Sequence, residues 1–308
     1  MKTMPRIIFL AALLAAFSAS CDKKRPLDFF EIVPDLRHHN QLPVVHLMVK
    51  EVKMKNYFDF MDSLVCHYDS LLDRPVSEHL IVRNNPWIID TLAATDYYRL
   101  KERGITSLDQ EELVIFRPGH YLVIPESAAI DSLNELFEQT LIDLNIPEYT
   151  LRILENGQAV RECLVRVGRN ERKYLAMAGG VVDLRTRTGS GTIIRHSKDP
   201  AFINPSNNHY YHVTRRDDGV VTAMPRIPWL EPEINGVRYG QLIHPTTNFE
   251  TLGRAYSNGC IGTSEADAWR IYYHAPLGTR IRIRYELEVV DQQGDTVRLE
   301  DIYRRSVR

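Results

Sequence analysis

The run Thr150-Leu151-Arg152-Ile153-Leu154-Glu155 leads into Asn156-Gly157 and continues as Gln158-Ala159-Val160-Arg161-Glu162-Cys163-Leu164-Val165-Arg166-Val167. Two alternating runs flank a pair of residues that both tolerate positive φ, which is the strongest local signal for a two-residue β-hairpin. Further along, Thr279, Ile281, Ile283, Tyr285 and Leu287 alternate with Arg280, Arg282 and Arg284, predicting one half-buried strand over 279–287. A single helix interrupts this texture, over 264–275, with Ser264 and Asp267 in capping-box spacing and Pro276 at its end. From about residue 141 the chain therefore reads as mostly β.

Toward the N-terminus the period changes. Tyr57, Met61, Leu64, Val65, Tyr68, Leu71 and Leu72 form one helical stripe over 56–72. A second helix is expected over 85–104, with Asn85 as cap, Pro86 in the first turn and Gly104 at the end. Residues 114–125 read as extended around a Pro118-Gly119 turn, and 127–139 as a third helix. The fold class is α+β. A mostly helical region of undefined role (46–140) precedes a sandwich-like or barrel-like β region with one helix (141–287), and a hairpin or tail covers 288–308.

Composition is that of an ordinary folded protein, with 308 residues, 44% hydrophobic and 25% charged. A net charge of −2 argues against nucleic acid as a partner, because that role needs a basic surface. Residues 149–308 carry 23 bases against 18 acids, and 21 of those bases are arginine, whose planar fork suits carboxylates. The four cysteines, Cys21, Cys66, Cys163 and Cys260, form no CxxC pair that would seed a zinc site. Cys66 and Cys163 read as small buried residues or as a disulfide pair.

Lys2 and Arg6 precede an apolar run over 7–17 that ends in Ser18-Ala19-Ser20-Cys21. A membrane-crossing helix needs about 20 apolar residues, so a cleaved export signal over 1–20 is expected rather than a permanent span. The small residues before Cys21 resemble the bacterial lipoprotein box, with Ser18 where leucine is usual. That resemblance implies a lipidated Cys21, a tether over 21–45 and a membrane-anchored protein of the cell envelope, facing the periplasm.

The chemistry concentrates in His244-Pro245-Thr246-Thr247-Asn248 and in Leu252-Gly253-Arg254-Ala255-Tyr256-Ser257-Asn258-Gly259-Cys260-Ile261-Gly262-Thr263. Cys260 lies shortly before the expected 264 helix, whose free amides would favour a thiolate. Gly259 permits close backbone approach, and the amides of 258–260 are candidates for an oxyanion hole. His244, sixteen residues upstream of the cysteine, is the candidate base for Cys-His nucleophilic catalysis.

This passage resembles the L,D-transpeptidase family of YkuD type, whose motif places a histidine before Ser/Thr-His-Gly-Cys. Asn145-Ile146-Pro147-Glu148-Tyr149, Val167-Gly168-Arg169, Thr186-Arg187-Thr188-Gly189 and Ala275-Pro276-Leu277-Gly278 extend the likeness over 141–287. The resemblance implies Cys260 as nucleophile, His244 as general base and acid, Asn258 and Gly259 at the oxyanion hole, and Ser257 as a motif position. Trp229 and Arg254 are the candidate substrate contacts, and peptidoglycan stem peptides the partner. A thioester acyl-enzyme would form 3→3 cross-links with release of D-alanine, without metal or organic cofactor. Alternatives are an L,D-carboxypeptidase and a catalytically silent wall-binding lipoprotein. Two departures stand out: Asn258 replaces the motif's second histidine, and Gly262 stands where arginine commonly follows. Pro245 follows the base where small residues are usual, yet its carbonyl remains free to orient the imidazole.

Overall fold

The computed structural model describes residues 44–305 except 73, 106–108 and 292. Cys21, the export segment and most of the expected tether lie outside the described residues.

Among the described residues five α-helices precede the main sheet: α1 (Tyr57–Asp69), α2 (Glu78–Arg83), α3 (Trp87–Ala93), α4 (Tyr97–Glu102) and α5 (Ser127–Gln139). The apolar stripe of α1 buries Tyr57, Phe60, Met61, Leu64 and Tyr68, as its helical spacing requires. The expected 85–104 helix is instead two helices. Asp96 breaks it, because its carboxylate accepts from the amides of Tyr98 and Arg99 and starts α4 afresh. Asn85 is not a helix cap either. Its amide donates to the carbonyls of Ile81 and Val123, and its Oδ1 accepts from Val123 N, so it ties α2 to the strand Tyr121–Ile124. The extended 114–125 segment does not fold back on itself. Val114–Phe116 pairs with Val52–Lys53, and Tyr121–Ile124 with Val44–Leu47.

Eight strands form one mixed sheet: β1 (Leu141–Asn145), β2 (Thr150–Glu155), β3 (Gln158–Leu164), β4 (Gly189–Ser197), β5 (Trp229–Ile234), β6 (Ile243–Pro245), β7 (Ile261–Thr263) and β8 (Arg280–Arg284). Their spatial order is β7-β6-β5-β4-β8-β1-β2-β3. The β2–β3 hairpin turns at Asn156 (φ 51°) and Gly157 (φ 78°), the conformation that sequence pair selects. In β8, Ile281 and Ile283 point inward and Arg280 and Arg282 outward. The strand stops at Arg284, short of the expected 287. The pairs β6–β7 and β1–β8 are parallel, so each needs a crossover.

The two ends of the sheet come together. Past β3, Arg166 and Gly262 of β7 exchange backbone hydrogen bonds of 2.9 and 3.0 Å, bending the sheet into a nearly closed barrel. Next to this seam, Val167–Gly168 runs parallel to Ala255–Ser257.

The last helix, α6 (Glu265–His274), is capped by Ser264 Oγ, which accepts from Asp267 N. It is buried nearly all round, with Trp269, Ile271, Tyr272 and Tyr273 inaccessible, because it packs on β5 and β6 from one side and on α2 and α3 from the other. The helical region and the β region thus share one continuous core. The C-terminal hairpin pairs Glu288–Val290 with Thr296–Arg298, after which Tyr303 returns to the interior. Cys163 is a free buried thiol, so the expected alternative of a Cys66–Cys163 disulfide is not formed.

Candidate active site

Parallel pairing of β6 with β7 builds the site. Its register sets Ile243 opposite Ile261 and His244 opposite Gly262. Alternate residues of a strand share a face, so Cys260, two residues before Gly262, lies on the side toward which His244 points. Both side chains are half-buried. Leu242 N donates to Cys260 Sγ at 3.4 Å. The imidazole is held from two sides: Nδ1–H donates to the Pro245 carbonyl at 2.8 Å, and the Trp229 ring lies 5.0 Å away, tilted by 38°. That hydrogen bond fixes the tautomer, so Nε2 carries the lone pair of a base. Trp229, the candidate peptide contact, thus packs on the histidine.

The expected helix-dipole activation of Cys260 is not what the fold provides. Strand β7 intervenes between the cysteine and α6, and the α6 N-terminus is already satisfied by Ser264 and by Asp96, whose Oδ2 accepts from Ala266 N at 2.9 Å. Burial pushes the Cys260 thiol above its ordinary value, and only partly do the Leu242 amide and the Arg166 guanidinium counter it. Burial also drives His244 down to about 4, with Arg166 adding to the effect and the Pro245 carbonyl opposing it. At neutral pH both groups are neutral, a thiol at residue 260 and an imidazole at residue 244.

The cysteine loop is drawn tight by Ser257, whose Oγ donates to the Cys260 carbonyl at 2.6 Å and accepts from Gly259 N at 3.2 Å. Gly259 N is thus engaged rather than free for an oxyanion. Among the described residues the amides of Asn258 and Cys260 have no protein acceptor and are the open donors. Gly259 itself sits at φ 116°, and a Cβ there would meet Gln241 Nε2 at 2.9 Å. Asn258 Oδ1 accepts from Arg169 Nη2 at 2.6 Å. Arg254 is exposed and contributes its backbone carbonyl to Val167 N.

Several supports lie outside the segments around His244 and Cys260. Gln241 accepts from Arg187 N and donates to the Arg185 carbonyl beneath Gly259. Thr186 Oγ1 donates to the Gly259 carbonyl, and Tyr303 OH bridges Gly168 O and Thr186 N. Opposite, a hairpin of Val213–Arg215 and Val221–Ala223 is fixed by Arg216, whose fully buried guanidinium pairs with Glu265 at 2.7 Å.

Residues 139–283 match the family model of the YkuD L,D-transpeptidase catalytic domain. Solved structures similar to this chain include an L,D-transpeptidase from Mycobacterium smegmatis, at 16% identity and TM-score 0.34, covering 47% of this chain and 58% of that one. Another is an L,D-transpeptidase from Xylanimonas cellulosilytica, at 16% identity and TM-score 0.35, covering 63% of this chain and 92% of that one. A third is L,D-transpeptidase 3 from Mycobacterium tuberculosis with a faropenem-derived adduct, at 17% identity and TM-score 0.32, covering 47% and 60%. The chain spans less than two thirds of the length of the first of these. No curated protein matches the sequence. The matched stretch runs from just before β1 to Ile283 of β8 and contains both His244 and Cys260.

Proposed function

We propose that this protein is a cysteine L,D-transpeptidase that acts on peptidoglycan stem tetrapeptides. The observation that carries the reading is the β6–β7 register, which sets the Cys260 thiol and the Nε2 of a Pro245-oriented His244 on one face of a YkuD-type domain. In the first step Sγ bonds to the carbonyl carbon of the third stem residue while His244 Nε2 takes the thiol proton. The amides of Asn258 and Cys260 receive the oxyanion. Collapse breaks the peptide bond, and D-alanine leaves on accepting that proton from the imidazolium. A thioester is left on Cys260. The amine of a second stem then attacks, His244 removes its proton, and expulsion of the thiolate gives a 3→3 cross-link and regenerates the thiol. Water in place of the amine would give a tripeptide, the L,D-carboxypeptidase outcome.

Incubation of the protein and of Cys260→Ala with tetrapeptide muropeptides, followed by mass spectrometry, tests this. Cross-linked dimers with wild type and none with the variant are expected. Tripeptide alone would assign the carboxypeptidase reaction, and unchanged substrate would assign the silent wall-binding reading. The same reading places the protein in the cell envelope, facing the periplasm and held to a membrane through a lipidated Cys21, supported by the apolar run and small residues before that cysteine. An intact mass from the membrane fraction that lacks a diacylglyceryl increment would overturn the anchor.

A further inference from the structure

Arg166 takes no part in the mechanism above, yet it lies across the site. Its stem covers Gly262 so closely that a Cβ at 262 would stand 2.5 Å from Arg166 Nε, 2.7 Å from Cγ and 3.0 Å from Cδ. Gly262 is opposite His244 in the β6–β7 register and two residues past Cys260, so the arginine crosses the face that carries both. Its backbone is fixed there by the two hydrogen bonds that close the barrel. The guanidinium itself is poorly matched. Nη1 reaches Thr251 Oγ1 at 3.3 Å, Nε is buried without an acceptor, and no carboxylate of the described residues pairs with it. Most other arginines of the β region have such a partner, among them Arg152, Arg185, Arg195, Arg216, Arg238, Arg270, Arg282 and Arg284. A half-buried cation with an unfilled donor beside a nucleophile is a site prepared for an anion.

We propose that Arg166 binds a carboxylate of the donor peptide next to the scissile bond and so selects acidic donors for attack by Cys260. The proposal rests on the transpeptidase reading for the identity of that peptide. Two carboxylates flank the bond in a stem tetrapeptide, the terminal one of the leaving residue and one on the side chain of a diacid third residue, and either would meet the same guanidinium. The glycine at 262 follows from the arrangement: any larger residue displaces the arginine.

The test compares alkylation of Cys260 by iodoacetate, which carries a carboxylate, and by iodoacetamide, which does not, with Cys260 read individually by peptide mass spectrometry. Both reagents consume the same thiolate, so their rate ratio cancels any effect of Arg166 on thiol ionisation. Arg166→Gln should lower the iodoacetate to iodoacetamide ratio by about tenfold, the worth of one charge-assisted contact. Arg166→Lys should retain part of the preference. Gly262→Ala, which keeps the charge but pushes it aside, should lower the ratio as Gln does, guarding against a folding defect in the first variant. An unchanged ratio in folded Arg166→Gln and Gly262→Ala overturns the proposal.

A turnover arm uses tetrapeptides amidated at one carboxylate or the other. Wild type should lose kcat/KM on the one whose carboxylate is bound, and Arg166→Gln should no longer distinguish that amide from the acid. If Arg166→Gln still discriminates as wild type does, the proposal fails. Wild type that prefers iodoacetate yet leaves every tetrapeptide intact would instead overturn the transpeptidase reading and leave the carboxylate site standing.

Discussion

In the proposed reaction a neutral imidazole and a neutral thiol make His244, not a preformed thiolate, the gatekeeper of acylation. The histidine must be unprotonated to accept the thiol proton, and burial holds it down to about 4. The acid limb of kcat/KM for acylation should therefore fall near pH 4 rather than near the ordinary 6.5, leaving activity at pH 5.5 close to its plateau. The Trp229 indole packs on that ring. Trp229→Ala admits water, so the limb should move up toward 6.5, with kcat/KM lowered by about tenfold at pH 7 as the base loses its fixed orientation. A pH–rate profile of both proteins checks this, and a limb that stays in place would show that burial by Trp229 does not set the imidazole's basicity. Cys260 and His244 could be named as candidates from the sequence because both sit in one short motif. Arg166 was not, since its place over Gly262 depends on two strand ends meeting across 96 residues.

At the scale of elements, local chemistry explains what could be read and what could not. The β2–β3 hairpin and α6 have their turn or cap written into adjacent residues: Asn156-Gly157, and Ser264 with Asp267. The division of 85–104 into α3 and α4 was missed because Asp96 looks like one more polar position on a helix. Its partners settle the matter. One carboxylate accepts from Tyr98 N, Arg99 N and Ala266 N, capping α4 and α6 together, and it is 2% exposed. Glu265 Oε2 returns the contact to Tyr97 N at 3.0 Å. Asp96→Ala should cost more than an ordinary exposed cap, about 2 kcal/mol or more, because it leaves buried amides of two helices unpaired. Denaturant unfolding measures it, and Asp96→Asn, which keeps an acceptor, should recover part of the loss. A change below about 0.5 kcal/mol would mean the two helices are fixed by packing alone.

For the whole molecule, acid sensitivity is built into the junction between the helical region and the sheet. His79 and His196 stack at 5.3 Å between α2, β4 and α6, with Nε2 atoms on the carbonyls of Tyr272 and Ala275. Burial holds His79 at about 4 and His196 at about 3, and each ring's charge would oppose the other's, while His46, also lowered by burial, stands at about 4. Because the unfolded chain takes up these protons near pH 6.5 and the folded one only near 3 to 4, stability is full above about 6.5 and is lost as pH falls through that interval. The urea midpoint should drop between pH 7 and pH 5, before carboxylates protonate, and His79→Gln with His196→Gln should flatten that slope. A slope unchanged in the double variant would place the acid sensitivity elsewhere.

Tyr303 gives the architecture a consequence in time. Its hydroxyl joins Gly168 to Thr186, and Thr186 in turn holds the carbonyl of Gly259, so the bed of the nucleophile is completed by a side chain 135 residues downstream of Gly168. A polypeptide emerging from the ribosome acquires that tyrosine after Gly168, Thr186 and Gly259. The hydrogen bonds that seat the Gly259 carbonyl are therefore completed only by chains that extend through residue 303.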